Sequence, residues 1–361
     1  MQFQLKTRQI CLFIIAFLPI TKFFTMPSII ARSSNEDLWI SALISIIFDL
    51  VTVAVLTFIC NKSKRNFFEI LTDIFGEKGG KIIVFLYFIF FMLKAVMPLN
   101  EQKDYVENTL YILMPTLLYF LPFFFAAFYL SVKKLRVIGR ISDVLWVFTI
   151  FGFLVLLTLS ISNADFLSIL PVGANGSVKI FNGTASSFSW FGDAAYLLFF
   201  INEFDCKKKD IKKIILSFLV SALLILIFLI VFYSVFTSIA PRQRFALTEI
   251  SKYATDISNT GRLDYIGITL LLFSNIFALS IPLFFASYTL KYVFNFKKVW
   301  IAPLIVVLFH AIIIVFFSQY VYSIEQFMLS IGGYYILIFG NILPLLLPLF
   351  IKKEIKNEVQ A

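Results

Sequence analysis

Charged residues are scarce in this sequence. They make up 14% of its 361 residues, whereas hydrophobic residues make up 60% and aromatic residues 18%. Soluble globular domains have roughly 25% charged residues and about half apolar residues, so this composition excludes the soluble class. Long apolar runs recur along the whole chain, which predicts one integral membrane domain over residues 1–361 rather than two soluble domains.

Histidine and cysteine, which supply much nucleophilic and metal-binding chemistry, are also rare. The chain has one histidine, His310, and three cysteines that lie far apart, Cys11, Cys60 and Cys206. This spacing indicates neither a disulfide framework nor a metal site. The sequence also lacks a phosphate-binding glycine loop, a Gly-x-Ser-x-Gly elbow and a histidine-based nucleophile pair. We therefore predict that the protein is not an enzyme and has no cofactor.

Ten apolar runs are long enough to cross about 30 Å of hydrocarbon as α-helices. They predict an all-α membrane protein with about ten transmembrane helices. The runs are residues 10–30, 39–60, 81–99, 115–132, 141–161, 186–204, 212–239, 264–292, 299–320 and 328–351. Residues 162–185 contain glycine, proline, asparagine and serine, which is typical of a turn-rich outer loop between two groups of five helices. Residues 352–361 are predicted to form a tail.

The distribution of the 31 lysine and arginine residues predicts the orientation in the membrane. Basic clusters occur in alternate connections between the apolar runs and at both termini, whereas the intervening connections have few. Because positively charged loops remain cytoplasmic, both termini are predicted to be cytoplasmic. The net charge of +10 therefore reflects membrane topology and predicts no nucleic-acid partner. Only Lys22 and Lys94 are not explained by this pattern.

The most informative stretch lies inside the first apolar run, at residues 18–27 (LPITKFFTMP). Pro19 and Pro27 each remove a backbone donor, so the helix is predicted to be kinked or broken here. Lys22 lies between them, and a lysine at the bilayer centre costs at least about 2.5 kcal/mol unless it is paired or hydrated. Secondary transporters build substrate and ion sites at such breaks. A simple proline kink, with the lysine facing a packed polar core, is the alternative.

The sixth apolar run has a matching feature. Gly192 weakens the helix, and Asp193 places a charge near its middle. Five runs in each half make the second half run opposite to the first, which predicts an inverted repeat of residues 1–161 and 186–351 with helices one and six broken. Lys22 and Asp193 are the natural partners, since each charge is too costly alone.

Two further charges are predicted to be buried. Asp49 in the second run and Lys94 in the third can form a second ion pair, for which we favour a structural role because neither lies at a predicted break. A purely structural salt bridge is also the alternative for Lys22 and Asp193. The predicted ligand contacts are Thr21, Lys22, Thr25, Gly192, Asp193 and Asn275. His310, among apolar residues, is interpreted as a packing residue rather than a proton relay.

Several local motifs occur in a characteristic order. Thr25-Met26-Pro27 precedes residues 37–41 (DLWIS), residues 140–143 (RISD) open the fifth run, and residues 165–172 (DFLSILPV) precede a glycine-containing loop and Phe191-Gly192. With the size, helix number and orientation, the chain resembles the B subunit of GerA-type spore germinant receptors. That spore germination permease family belongs to the amino acid–polyamine–organocation transporter superfamily. The resemblance covers nearly the whole chain.

The resemblance implies a LeuT-like fold of five plus five helices, with a small-molecule site between helices one, three, six and eight. It implies a nutrient, expected to be an amino acid, as ligand. It also implies a complex with an A subunit and a lipoprotein C subunit in the inner membrane of a spore.

Two features depart from the family pattern. Members tend to have a glycine-rich break in helix one, where this chain has residues 21–24 (TKFF). They often have a glutamate soon after the glycine of helix six, where this chain has Asp193 and no glutamate before Glu203. Phe23 and Phe24 can block backbone contact with the carboxylate of an amino acid. A different ligand, or a site without one, is therefore an alternative.

Two functional hypotheses follow, with a third behind them. A receptor subunit binds the ligand and shifts a conformational equilibrium that partner subunits detect. A proton- or cation-coupled amino acid permease instead changes the protonation of Lys22 or Asp193 during alternating access. A locked lysine–aspartate pair favours sensing, whereas a titrating lysine favours coupled transport. A scaffold without a ligand is the third hypothesis.

Overall fold

The structure is a computed structural model that describes residues 5–63, 65–107, 115–252, 264–317 and 320–350. Within these ranges the regular structure is helical, apart from one isolated bridge between Leu5 and Phe204. The α-helices of these ranges are α1 (Thr7–Phe17), α2 (Met26–Ser34), α3 (Leu38–Lys62), α4 (Phe67–Tyr105), α5 (Thr116–Val132), α6 (Arg136–Ser160), α7 (Gly176–Ser187), α8 (Lys208–Phe236), α9 (Ala246–Lys252), α10 (Asp264–Phe294), α11 (Ile301–Phe316), α12 (Val321–Phe327) and α13 (Gly333–Leu337). Two π-helical turns, Met328–Gly332 and Ile338–Ile342, flank α13.

Six helical stretches of the described residues are long and apolar enough to cross a membrane. They are Met26–Lys62, Phe67–Tyr105, Arg136–Asn163, Lys208–Arg242, Thr269–Phe294 and Val321–Phe350. Helices α5 and α11 are apolar but shorter, with 17 and 16 residues. In the described residues, each of the ten predicted runs contains helical turns, and the first and the sixth contain a non-helical segment between two helical ones. The count of ten crossings and the repeat of five plus five helices remain predictions.

Helix α10 lies near the centre of the helix packing, where it contacts α4, α5, α6 and α11. Lipid tails are as apolar as the side chains, so close packing rather than the hydrophobic effect must hold such helices together. Aromatic rings provide much of this contact. Phe285 of α10 lies 5.3 Å from Phe91 and 5.1 Å from Tyr196 between ring centroids, and Phe91 lies 5.2 Å from Phe199. These rings fix α4 and α10 against the segment that follows Gly192.

The first predicted run is broken in the structure. Helix α1 ends at Phe17, a single 3₁₀ turn spans Ile20–Lys22, and α2 begins at Met26. The break leaves the carbonyls of Phe23 and Phe24 without helical donors, and they accept hydrogen bonds from the backbone N–H groups of Leu247 (3.0 Å) and Ala246 (2.8 Å). The buried helix α9 therefore closes the break, as backbone groups within a membrane require.

The sixth predicted run is also interrupted. Helix α7 ends at Ser187, Gly192 adopts a left-handed φ of 81°, and a 3₁₀ helix spans Asp193–Phe200. The left-handed conformation suits a residue without a Cβ atom. A Cβ atom on Gly340 would lie 2.6 Å from Gly192 Cα, so the turn of the main chain is held by a close backbone contact.

The predicted outer loop at residues 162–185 is partly helical, which corrects its boundary. Helix α7 begins at Gly176 and packs against α2 and α3. Ser41 Oγ donates a hydrogen bond to the carbonyl of Ile180 (2.9 Å), and Gly183 allows α7 to approach Ser34 and Ser41 closely. Tertiary packing thus outweighs the turn-like composition of this segment. The predicted tail at residues 352–361 lies outside the described residues.

Candidate functional site

The two helix breaks lie side by side, and a buried ion cluster joins them. Lys22 Nζ lies 2.5 Å from Asp193 Oδ2, and Lys94 Nζ lies 2.7 Å from Asp193 Oδ1. No side chain of the three is more than 6% exposed. Buried ion pairs need further polar partners to offset the loss of hydration. We call Lys22, Lys94, Asp193 and the adjacent Asp49 the break cluster.

The lysines of the break cluster bind main-chain carbonyls at the two breaks. Lys22 Nζ donates to the carbonyl of Leu18 at 2.8 Å. Lys94 Nζ donates to the carbonyls of Trp190 (3.1 Å) and Phe191 (2.9 Å), which precede the left-handed turn. In transporters with broken helices, such carbonyls coordinate ions. Here the ammonium groups of the protein itself occupy that role.

Asp49 binds the N–H side of the second break. It accepts a hydrogen bond from the backbone N–H of Gly192 (3.0 Å) and another from Asn341 Nδ2 (2.7 Å). This arrangement corrects the predicted pair of Asp49 and Lys94 and the expectation that neither residue lies at a break. The physical reason is polarity: the break exposes a donor at Gly192, which takes the carboxylate, and acceptors just before it, which take the ammonium group.

The other predicted site residues divide into two groups. Thr21 belongs to the first break, where its Oγ1 donates to the Leu18 carbonyl at 3.4 Å. Thr25 Oγ1 instead donates to Glu101 Oε1 (2.6 Å), and Asn275 Nδ2 donates to Gln102 Oε1 (2.8 Å). Thr25 and Asn275 therefore contact the end of α4. The structure brings Thr21, Lys22, Gly192 and Asp193 together around the breaks.

Glu101 is a polar residue of the site that is absent from the residues predicted from the sequence. It is 7% exposed and accepts hydrogen bonds from Thr25 Oγ1 (2.6 Å) and from Trp190 Nε1 (2.7 Å). Glu101 thereby connects Thr25, at the first break, with Trp190, which lies just before the left-handed turn at Gly192. One feature of the sequence could have identified Glu101. It directly follows an apolar run, and no basic residue lies three or four positions away to pair with it on the same helix.

A cleft leads from Glu101 to the molecular surface, on the side predicted to face outward. Its narrow inner part has a cavity volume of about 20 Å³ and is lined by Thr25, Ser28, Met97 and Glu101, among others. An adjoining outer part has a volume of about 580 Å³. Both parts are lined by Arg32, Asp104, Arg244, Val321 and Glu325. We call these two parts together the Glu101 cleft.

Phe23 and Phe24 pack into the helix bundle. The Phe23 ring lies 4.5 Å from the Phe228 ring and 5.4 Å from the Phe153 ring, measured between centroids. The Phe24 ring lies 6.5 Å from the Tyr105 ring. The carbonyls of Phe23 and Phe24 each already accept a hydrogen bond from α9.

Known proteins share both the sequence pattern and the fold of this chain. A family model described as spore germination protein matches residues 4–342. A solved structure of the Eremococcus coleocola manganese transporter, in complex with an aromatic bis-isothiourea substituted compound, is similar with a TM-score of 0.53. The two chains are 13% identical, and the match covers 94% of this chain and 78% of the transporter, so the likeness shows the fold alone. No curated protein shows significant similarity.

Proposed function

Because the chain belongs to the spore germination protein family, whose model matches residues 4–342, we propose that it is the membrane subunit of a spore nutrient-germinant receptor. It binds a small nutrient, an amino acid in our proposal, and signals germination. Its proposed partners are an A subunit and a lipoprotein C subunit in the spore inner membrane. Family and fold together identify a membrane protein of the germinant receptor or permease type.

The proposed architecture is a LeuT-like inverted repeat of five plus five helices. The interruption at Ile20–Lys22 and the interruption around Gly192 support this proposal, because a repeat places its broken helices at matching positions. The likeness to a solved transporter over 94% of the chain also supports it.

The break cluster is the observation that carries the proposal of sensing over transport. Asp193 is held by two lysines, and both lysines bind main-chain carbonyls at the breaks. A carrier must exchange its bound ion or substrate in every cycle, whereas these cations are covalently part of the chain. Such a cluster is suited to two alternative arrangements of the helices, between which a ligand selects.

The proposed ligand site keeps the six residues predicted from the sequence, with two roles. Thr25 and Asn275 lie beside the end of α4 and contribute to the ligand side. Thr21, Lys22, Gly192 and Asp193 form the element that changes state when the ligand binds. Proton- or cation-coupled amino acid transport remains the second candidate function, since the same breaks can line a transport path.

The deciding experiment is deletion of the gene in the source organism. Dipicolinate release is then measured from purified spores that receive a panel of nutrients. We expect the deletion to remove the response to at least one nutrient and the wild-type gene to restore it. Complementation with Lys22→Ala or Asp193→Ala is expected to leave the protein in the membrane but not to restore the response.

Transport predicts a different result from the same strains. Unchanged dipicolinate release across the panel, together with reduced uptake of labelled amino acids by vegetative cells, supports the permease and contradicts the receptor. Full activity of both substituted proteins shows that the break cluster is not part of the mechanism. An organism that forms no spores excludes the receptor function outright.

A further inference from the structure

The acidic side chains that line the Glu101 cleft outnumber the basic ones. Within the described part of the chain, the lining contains four acids and three bases, and the nearest acid to each base is a different one, although Lys103 also lies 4.0 Å from Asp104. The pairs are Arg32 with Glu325 (3.8 Å), Arg244 with Asp104 (2.5 Å) and Lys103 with Glu107 (2.9 Å). Among these lining residues, Glu101 is the acid without a basic partner.

The contacts of Glu101 are neutral and lie on one oxygen. Thr25 Oγ1 and Trp190 Nε1 both donate to Oε1. Oε2 receives no hydrogen bond from the residues that the structure describes. A carboxylate that is 93% buried is costly unless a cation or a proton compensates it. The cleft thus offers a single carboxyl group without a basic partner, with one oxygen available to a ligand.

The dimensions of the cleft indicate the kind of cation. A cavity of roughly 10–15 Å³ holds one water molecule, so the inner part, at about 20 Å³, accepts a group of that size. A primary ammonium group has this size and donates hydrogen bonds to a carboxylate. The outer part, at about 580 Å³, has room for the rest of a small organic molecule. A bare inorganic cation needs no such space.

We propose that Glu101 binds the ammonium group of a small primary amine, such as an amino acid, whose remainder lies in the outer part of the cleft. This inference rests on the proposed function and gives that function a ligand contact. The binding group is a side chain of α4, rather than main-chain atoms of the two breaks.

The position of Glu101 explains how binding there reaches the break cluster. The hydroxyl of Thr25 and the indole of Trp190 donate to the carboxylate, and the carbonyl of Trp190 accepts from Lys94 Nζ. Lys94 in turn pairs with Asp193. An ammonium group at Oε2 draws negative charge away from Oε1 and so weakens the hydrogen bonds of Thr25 and Trp190, which alters contacts at both breaks without touching Asp193.

Binding to the purified full-length protein in detergent tests this proposal by isothermal titration calorimetry. The probes are methylammonium chloride, propylammonium chloride and the individual amino acids, each paired with its N-acetyl form. We expect at least one amine to bind while its N-acetyl form does not. Glu101→Gln should weaken that binding by about tenfold or more, the loss typical of a hydrogen bond between charged groups.

A matched control separates this contact from a general effect of charge. Glu325→Gln removes another acid of the same cleft, which already pairs with Arg32, and should change the affinity by less than about threefold. Equal losses in both variants contradict a specific contact at Glu101. If Glu101→Gln is not monodisperse, Glu101→Asp serves instead, because it keeps the charge but withdraws the carboxylate from the ligand.

Three results overturn the proposal. They are binding by none of the amines, equal binding of N-acetylated and free amines, and binding of sodium or potassium chloride that depends on Glu101 as strongly as amine binding. Spores then distinguish this proposal from the receptor function. A normal nutrient response with Glu101→Gln overturns the amine contact alone, whereas Glu101-dependent binding in vitro, without any nutrient response in spores, overturns the receptor function alone.

Discussion

The break cluster and the Glu101 cleft are both charged and largely buried, yet their charges are arranged differently. The break cluster contains two lysines and two aspartates, which balance, and each side chain binds a main-chain group or a partner within the cluster. The cleft has one more acid than it has bases among its described lining residues. A balanced buried set is complete without a ligand, whereas an unbalanced one gains from binding a cation.

The two regions also differ in what their charges hold. Asp49 and Lys94 bind opposite sides of the main-chain turn at Gly192, so this turn cannot move without breaking their contacts. Among the described residues, Glu101 binds side chains rather than main-chain atoms, namely those of Thr25 and Trp190. The break cluster therefore holds the main chain in one arrangement until its contacts break together, whereas Glu101 holds side chains only, and substitutions on each side can test this difference.

The largest effect is expected from Asp193→Asn. The change leaves Lys22 and Lys94 without their shared counter-ion in a buried site, which costs about 3–5 kcal/mol in free energy of unfolding. Thermal unfolding of the purified protein in detergent measures this loss of stability. Asp143→Asn, at the exposed pair with Arg8, is the matched control and should cost less than about 1 kcal/mol. A melting temperature of Asp193→Asn equal to that of the control contradicts a shared counter-ion.

The next effect tests the rigidity of the second break. In Gly340→Ala the added methyl group lies 2.6 Å from Gly192 Cα and 2.9 Å from the Gly192 carbonyl oxygen, both main-chain atoms. Overpacking of this kind costs about 1–3 kcal/mol. Gly332→Ala is the control, because its nearest contact is the flexible end of Met328 at 2.9 Å. Equal melting temperatures of the two variants are incompatible with a rigid turn at Gly192.

A smaller effect is expected on the cleft side from Thr25→Val. The substitution keeps the shape of the side chain and removes one neutral donor to Glu101, which costs about 1 kcal/mol. With one donor fewer on Oε1, the carboxylate attracts the ammonium group at least as strongly, so amine binding should stay intact or tighten. Thr21→Val serves as the control, since its hydroxyl is 3.4 Å from the Leu18 carbonyl and does not reach Glu101. Calorimetry that finds amine affinity reduced tenfold by Thr25→Val, but not by Thr21→Val, contradicts this assignment of the two carboxylate oxygens.

Part of the break cluster could be predicted from the sequence, because the cost of burying a charged side chain can be assessed for each residue separately. Lys22 and Asp193 are costly alone, and the structure places them 2.5 Å apart. The histidine interpreted as a packing residue, His310, contacts the carbonyls of Val306 and Met92. The sharing of Asp193 by two lysines was not predictable, since it depends on which main-chain donors and acceptors a break exposes.

The cleft was missed for a different reason. The third apolar run ends at residue 99, and α4 continues beyond it to Tyr105 and carries Glu101 into the protein. Burial there depends on Trp190 and Thr25, which are distant in sequence and reach Glu101 only because both breaks lie beside α4. Hydropathy places such an acid at the membrane surface, since it registers composition and not the packing of other segments.

The smallest effect on stability is expected from Glu101→Gln, although the same change is expected to weaken amine binding by about tenfold or more. Glutamine keeps an oxygen that accepts from Thr25 and Trp190, and it removes an uncompensated buried charge. The free energy of unfolding without ligand should therefore change by less than about 1 kcal/mol, or rise. Thermal unfolding of Glu101→Gln and Asp193→Asn under the same conditions compares the two losses of stability directly. If both variants lose the same stability, Glu101 contributes as much to the folded structure as Asp193 does. The proposed difference between the break cluster and the Glu101 cleft is then wrong. If only Asp193→Asn loses stability, the cleft charge is one that the fold does not need, which is the property expected of a group retained for a ligand.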